Sequence, residues 1–324
     1  MPTTPDSYNK LLLHLYRLSY ELPLDRFQDA ALELVKPVLP FDSSMWGSAT
    51  LTPVGIDVHT IHLHCQPPEM LQAYEEIKHM DTAGALAAQE PATTLAFHTD
   101  SWFGGPDQKA LRAHGRRFGQ AHFFIGGAVN PKTRFTRWLT LFRSNERAYC
   151  TETERVLLAG LMPHVQQALE LNRLTHLNQA AVTGNAAQGA AIADLRGVLY
   201  HSDAAFEQAL RAEWDDWRGH ALPSTLMKSF LQGCNRFAGR SQVLTLRVEH
   251  QLLFLKSRPR CPADGLTPRE FTVAQLMVKG NTHKQIADML QRSPATVRTQ
   301  IRAVYEKLDI GNVAGLAEAL RLVE

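Results

Sequence analysis

The 324-residue sequence lacks the features that mark secreted or membrane-spanning chains. No apolar run approaches the ~20 residues that a helix needs to cross a bilayer. The first residues carry no cationic stretch followed by an apolar one, so no secretion signal is predicted. The four cysteines are scattered and form no C-x-x-C pair, which is typical of reduced thiols. These absences predict a cytoplasmic protein without a membrane partner.

Strong net charge and catalytic motifs are also missing. The formal net charge of +2 excludes a general cationic coat for nucleic acid. No G-x-S-x-G elbow surrounds a serine, although Ser43, Ser44, His98 and Asp100 offer hydrolase-like side chains. No G-x-x-x-x-G-K-[ST] phosphate loop occurs either. We therefore expect no enzyme, and the chain length predicts two or three domains.

The densest group of potential metal ligands is His59, His62, His64 and Cys65. Side chains alternate between the two faces of a strand, so His62 and His64 would share one face while His59 and Cys65 take the other. Four ligands cannot converge from such a segment, and no metal site or cofactor is predicted.

The last sixty residues contain repeated helix-start signals. Thr267-Pro268-Arg269-Glu270 has a hydroxyl at N-cap, proline at the first helical position and Glu at N3, which forms a capping box. Thr282 to Gln285 forms a second box, and Ser293-Pro294 begins a third helix. Only 291–293 join the second helix to the third. Such a short link predicts a sharp turn, and hence a helix-turn-helix.

The third helix of this group has two different faces at a period of 3.6 residues. Its apolar stripe is expected to pack on the preceding helices and consists of Val297, Ile301, Val304 and Leu308. The opposite face is polar and cationic, as a helix in a DNA major groove requires, and consists of Ala295, Arg298, Thr299 and Arg302.

These motifs resemble the LuxR-type DNA-binding domain of bacterial transcription factors, in order and with matching gaps. The shared pattern is Leu266-Thr267-x-Arg269-Glu270, Gly280-x-x-x-x-x-Ile286-Ala287, Ser293-x-x-Thr296-Val297-Arg298 and Tyr305-x-Lys307-Leu308. The resemblance implies an all-α four-helix fold and double-stranded DNA as partner. It places Arg298, Thr299 and Arg302 toward bases, and Thr282, Lys284, Thr296 and Lys307 toward backbone phosphates.

Earlier residues alternate between helical and strand-like segments. We expect strands at 44–50, 58–64, 120–129 and 135–142, and helices within 8–39, 68–89, 107–118 and 151–178. Helices flanking an antiparallel sheet of about five strands indicate an α+β sensory domain. The layout resembles a GAF domain or the related acyl-homoserine-lactone receptor domain.

Composition divides the rest of the chain. Residues 179–190 are mostly Ala, Asn, Gln and Gly, which predicts a linker. Asp194-x-x-Gly197 followed by a short helix resembles the start of a PAS domain, here in reduced form. The predicted organisation is a GAF-like input domain at 1–178, the linker, a PAS-like module at 191–258 and a DNA-binding domain at 259–324.

A small-molecule pocket in the input domain would need apolar walls with a few placed polar groups. Lactone receptors have Asp-Pro on the pocket wall, whereas Thr82 follows Asp81 here, so we expect another effector or none. The candidate ligand-binding residues are Trp46, His62, Tyr74, Asp81, Phe97, Trp102 and Trp138.

Together these patterns predict a DNA-binding transcriptional regulator controlled by a small molecule and contacting the transcription machinery. Two alternatives remain for the N-terminal half, which could bind a protein partner or serve only as a dimerisation scaffold. Residues 263–324 carry eight Lys/Arg against seven Asp/Glu, so one copy would neutralise few phosphates and a homodimer is expected. Apolar faces proposed for dimerisation are Leu316, Leu320 and Val323, and Leu158, Leu161, Val165 and Ala168.

Overall fold

The computed structural model describes residues 5–52, 55–130, 134–179 and 189–321. The chain divides into two compact units, Met1–Ala180 and Ala181–Glu324. Within the described ranges, no helix is both long and apolar enough to span a membrane.

The first unit is built on a five-stranded antiparallel sheet with the order β2-β1-β5-β4-β3. The predicted antiparallel sheet is thereby confirmed. The third strand was not predicted, because four residues at a sheet edge are too few to show a period. The strands are β1 (Ser43–Thr52), β2 (Gly55–His64), β3 (Leu95–His98), β4 (His122–Val129) and β5 (Phe135–Arg143).

Helices cover both faces of this sheet. On one face lie α1 (Pro5–Glu21), α2 (Leu24–Val35) and the long α7 (Glu152–Gln179), which includes Pro163. On the other lie α3 (Glu69–Glu75), α4 (Thr82–Gln89), α5 (Thr99–Trp102) and α6 (Lys109–Arg117).

Successive side chains of a strand point to opposite faces of the sheet, so the sheet separates two apolar cores. Trp46 and Phe124 belong to the cluster under α1, α2 and α7. Phe123 and Phe142 belong to the cluster under the shorter helices. Neighbouring residues on one strand thus enter different cores.

The apolar stripe of α7 belongs to the interior of the first unit. The four residues expected at a dimer interface are at most 2% exposed and pack against α1, α2 and the sheet. That dimer surface was therefore wrongly predicted, since an isolated helical pattern does not reveal which neighbour covers it. The residues are Leu158, Leu161, Val165 and Ala168.

The second unit begins with another antiparallel sheet of five strands, in the order β7-β6-β10-β9-β8. Counted from its own first strand, this order is the same as in the first unit. Residues 180–188 of the predicted linker lie outside the described residues. The elements are β6 (Gly189–Asp194), β7 (Leu199–Ser202), α8 (Ala204–Glu213), α9 (Ser224–Leu231), β8 (Arg236–Ala238), β9 (Gln242–Glu249) and β10 (Leu252–Pro259).

Four helices follow, as predicted. They are α10 (Pro268–Val278), α11 (His283–Met289), α12 (Pro294–Leu308) and α13 (Val313–Arg321). Leu316 is fully buried and Leu320 is 4% exposed, and both pack on α10 and α12. The expectation that they form a dimer face is therefore wrong, and the third residue of that face, Val323, lies outside the described residues.

Candidate nucleic-acid interface

Side-chain caps fix where the helices of the C-terminal region begin. The Thr267 hydroxyl accepts from the Glu270 backbone N–H, and the Glu270 carboxylate accepts from the Thr267 backbone N–H at 2.8 Å. Thr282 and Gln285 repeat this arrangement at α11. At α12, the Ser293 hydroxyl accepts from the Thr296 backbone N–H. Residues close together in sequence therefore determine where all three helices begin.

The two faces of α12 differ sharply in exposure. Val297 and Val304 are fully buried, and Val297 packs against Ile286 of α11. Arg298 and Thr299 lie in solvent on the other side. This leaves a cationic and polar ridge on the helix that follows the turn, as a major-groove reader requires.

Two neighbours orient the arginines of this ridge. The Arg298 guanidinium, which can only donate, lies 3.0 Å from Nε2 of His283. Arg302 donates through Nε to Glu306 at 2.7 Å, four residues along α12. The Arg302 side chain is nevertheless 82% exposed, and both arginines remain available to a ligand. Sequence reasoning missed His283, because only the turn brings α11 beside α12.

The predicted phosphate-contact residues divide into two groups. Lys284 is exposed on α11, and Thr282 and Thr296 are exposed at helix starts where their hydroxyls already bond to neighbouring residues. Lys307 instead donates to Glu270 at 2.7 Å, and its side chain is 43% exposed. Its ammonium is therefore partly engaged within the fold.

The seven candidate ligand residues do not share one site. Trp46 and His62 are paired across β1 and β2 on the face toward α1 and α2. The other five lie on the opposite side of the sheet, and they are Tyr74, Asp81, Phe97, Trp102 and Trp138.

Two of these five are bonded to each other. The Tyr74 hydroxyl donates to Asp81 at 2.6 Å, while the second Asp81 oxygen accepts from the N–H groups of Ala83 and Gly84. Burial, followed by the nearby Asp81 charge, raises the pKa of Tyr74 above its usual range. Asp81 thus caps α4 and positions Tyr74.

Comparison with protein families identifies the C-terminal region. Residues 264–320 match the family described as bacterial regulatory proteins, luxR family. This range contains the three caps and the ridge of α12. Residues 264–320 form a LuxR-type domain.

No curated protein matches the chain. Among solved structures, the chain resembles the N-acylhomoserine lactone dependent LuxR family transcription factor CepR2 from Burkholderia cenocepacia. The identity is 18%, the match covers 51% of this chain and 98% of that chain, and the TM-score is 0.37. It also resembles Escherichia coli SdiA at 13% identity over 98% of this chain and 99% of that one, with a TM-score of 0.37. TM-scores this low carry no argument about function. The family is therefore assigned only to residues 264–320, from the match to the luxR family.

A buried carboxylate joins the LuxR-type domain to the preceding sheet. Asp264, whose side chain is fully buried, accepts from Arg258 of β10 at 2.6 Å and from Arg236 of β8 at 2.5 Å. Burial alone would raise the pKa of Asp264, but bonds from Arg258 and the Cys261 backbone N–H lower it to about 2. This ion-pair cluster ties 262–265 to the sheet.

Proposed function

We propose that the chain is a bacterial transcriptional regulator that binds double-stranded DNA through α12 of its LuxR-type domain. The observation that best supports this proposal is the exposed ridge formed by Arg298, Thr299 and Arg302. The opposite face of α12 is buried in the domain through Val297 and Val304. Arginine bonds guanine O6 and N7 in a bidentate manner, and threonine contacts base edges or the thymine methyl group. The proposed function is recognition of a DNA sequence, with no catalytic step.

The four predicted phosphate contacts support this proposal to different degrees. Lys284 projects from α11 without an acidic partner among the described contacts, so it is suited to a backbone phosphate. Thr282 and Thr296 are exposed at helix starts, where the positive end of the helix dipole favours a phosphate. Lys307 would contact phosphate only in addition to its bond to Glu270, or by giving up that bond.

Capture of genomic fragments by the full chain, followed by sequencing, would define the operator. Fluorescence anisotropy with that operator and a scrambled duplex then measures specificity. We expect at least ~10³-fold preference for the operator at physiological salt. Equal affinity for both duplexes would contradict the proposal.

We further propose that the regulator binds its operator as a homodimer on two half-sites about one helical turn apart. The near-neutral charge of the LuxR-type domain supports this, because one copy can neutralise few phosphates. Sedimentation of the complex would give two copies per operator. A single copy at full affinity would exclude the dimer.

The first unit is proposed as the input domain, responding to a small apolar effector. Supporting this, the sheet face toward the shorter helices is incompletely covered near the β1–β2 hairpin, where Ile56 is 48% and Val58 43% exposed. Half-buried Trp138 lies on the same face, with its indole over Gly47. An apolar molecule could stack on this indole and cover the two aliphatic side chains.

The alternative is that a protein partner covers this patch, or that the first unit is only a scaffold. A thermal-shift screen of the full chain with small molecules separates these functions. An effector should raise the melting temperature and change operator affinity, and Trp138→Ala should abolish both effects. The alternative would be favoured if the screen gave no hits and a partner protein shielded Trp138. Shielding would be measured as slower hydrogen exchange of the indole N–H or weaker quenching of the indole fluorescence.

A further inference from the structure

A cluster of imidazole, carboxylate and thiol groups lies where α2 meets the end of β2. His64 Nδ1 is 2.7 Å from Oδ1 of Asp29, and its Nε2 is 2.9 Å from Oε1 of Glu33. The His64 side chain is only 7% exposed, whereas both carboxylates lie more than half in solvent. Asp29 and Glu33 are four residues apart, so both reach His64 from one face of α2.

Asp29 and Glu33 make the same demand on His64, because each carboxylate needs an N–H donor from the ring nitrogen that it faces. An ionised carboxylate only accepts hydrogen bonds, so Asp29 and Glu33 can both bond a metal-free imidazole only if both ring nitrogens carry protons. A neutral imidazole bonds Asp29 through Nδ1–H and leaves the Nε2 lone pair facing Glu33. Asp29 is thus an acceptor that can hold His64 in the Nδ1–H tautomer.

Cys65 joins the cluster because the strand ends before it. β2 stops at His64, and Cys65 has a φ of +53°, a left-handed conformation that breaks the alternation of side chains. The ligand atoms of Glu33, His64 and Cys65 consequently all lie within 4.8 Å of one another. The sequence argument against convergence assumed a strand through Cys65, and it could not include α2.

We propose that Glu33, His64 and Cys65 bind one Zn²⁺-class divalent ion, with Asp29 as the positioning residue behind His64. Thiolate, imidazole and carboxylate together suit zinc better than the oxygen-preferring Mg²⁺ or Ca²⁺. A carboxylate that fixes the second nitrogen of a ligating histidine is a usual outer partner of such a metal. The site would leave one coordination position open to water or an exogenous ligand.

The observed spacing requires only a small adjustment. Bonds of ~2.0–2.3 Å in a tetrahedral arrangement place ligand atoms roughly 3.3–3.8 Å apart. The 2.9 Å separation between Glu33 and His64 must open, and the most distant pair must close by up to about 1 Å. Glu33 and Cys65 are exposed and can make these movements, while buried His64 remains fixed.

Co²⁺ is a suitable probe because it replaces zinc and its spectrum reports the ligands. Full-length protein without a histidine tag would be reduced, freed of metal and titrated with Co²⁺. We expect one equivalent to bind, with visible bands of tetrahedral intensity and a near-ultraviolet thiolate-to-cobalt band. Zn²⁺ should then displace Co²⁺ stoichiometrically.

Matched variants identify the ligands. Cys65→Ser should remove the thiolate band, and His64→Gln should reduce metal affinity at least 100-fold. Asp29→Asn should retain the spectrum but weaken Zn²⁺ binding by ~10–100-fold, because it acts only through His64. Cys234→Ser is the control, since Cys234 is also an exposed free thiol but lies in the second unit.

Circular dichroism and thermal unfolding of each metal-free variant show whether it is folded. Loss of the thiolate band in folded Cys65→Ser, with the band retained in Cys234→Ser, supports the site. Failure of the folded wild-type chain to bind Co²⁺ or Zn²⁺ at micromolar concentration would overturn it. Unchanged binding in Cys65→Ser would do the same. DNA binding plays no part in these measurements, so their outcome is independent of the proposed regulator function.

Discussion

The Lys307 ammonium lies 2.7 Å from Oε2 of Glu270 and thereby joins the last turn of α12 to the first turn of α10. Glu270 also closes the capping box with Thr267. One carboxylate therefore serves a helix start and an interhelical ion pair. This contact gives Lys307 a stabilising role in the unbound protein, besides its proposed contact with phosphate.

Lys307→Ala should lower the free energy of unfolding by about 1 kcal/mol at pH 7, because a partly exposed charge-assisted hydrogen bond is lost. The hydrogen bond from the Lys307 ammonium lowers the pKa of Glu270, and the hydrogen bond from the Thr267 backbone N–H lowers it further. A lowered folded-state pKa means that this stabilisation is present above the unfolded-state pKa and is lost as pH falls through the folded-state value. Urea unfolding should therefore show the variant and wild type converging at acidic pH. Lys279→Ala, exposed at the end of α10, should show no such trend.

Arg302→Ala and Arg298→Ala should each weaken operator binding by ~1–3 kcal/mol and relax preference at one base position. The fold should remain intact, since both side chains are exposed. Anisotropy with operator variants measures the effect. Arg321→Ala removes an exposed arginine of α13 and serves as the control. Normal operator affinity in Arg302→Ala would mean that α12 does not enter the groove.

Glu306→Gln should increase affinity for nonspecific DNA while reducing the ratio of operator to nonspecific binding. The carboxylate repels phosphate, yet it also holds Arg302 in one orientation through a 2.7 Å contact. The exposed pair itself contributes only ~0.3–0.5 kcal/mol to stability, so the melting temperature should hardly change. Salt-dependent binding to both duplexes provides the measurement. An increased ratio would show that Glu306 does not orient Arg302.

Asp264→Asn should destabilise the second unit by about 3 kcal/mol, because half-buried Arg258 loses its charge partner at a fully buried position. In the wild type, the pKa of about 2 lies below the ordinary value of 3.8. The stabilisation from Asp264 is therefore present above pH 4 and is lost as pH falls toward 2. Hydrogen exchange should show faster opening of 259–267 in the variant at pH 7. Asp288→Asn, exposed on α11, should leave this segment unchanged.

Gly47→Ala should destabilise the first unit by ~1–3 kcal/mol, because a Cβ there would overlap the Trp138 indole and lie 2.8 Å from the Thr60 carbonyl oxygen. Adding Trp138→Ala should recover part of this loss, giving a measurable coupling in a double-mutant cycle. Gly265→Ala meets no atom within 4 Å and should be neutral. Additive effects at residues 47 and 138 would contradict the packing of the indole over Gly47.

The sequence predicted best where structure is local. The capping residues Thr267, Thr282 and Ser293 specify helix starts within four residues, and the structure confirms all three. Burial of Val297 followed from a helical period in the same way. The sequence around Leu158 does not show that this side chain packs inside the first unit and not against a second copy of the chain. Nor does local sequence show that Trp46 and Phe97 lie on opposite faces of the first sheet. Such facts depend on chain segments far apart in sequence.

The cluster at Asp264 has a practical consequence for dissecting this chain. A fragment that begins at residue 262, a few residues before α10, would carry the Asp264 carboxylate without the two arginines that neutralise it. Weak DNA binding by such a fragment would then report a damaged fold, and it would be misread as the absence of an input signal. A fragment that begins at 189, with the first described strand of the second sheet, contains both arginines and all five strands of that sheet. For experiments that exchange one sensory half for another, the unit to transplant is therefore the sheet and the helices together.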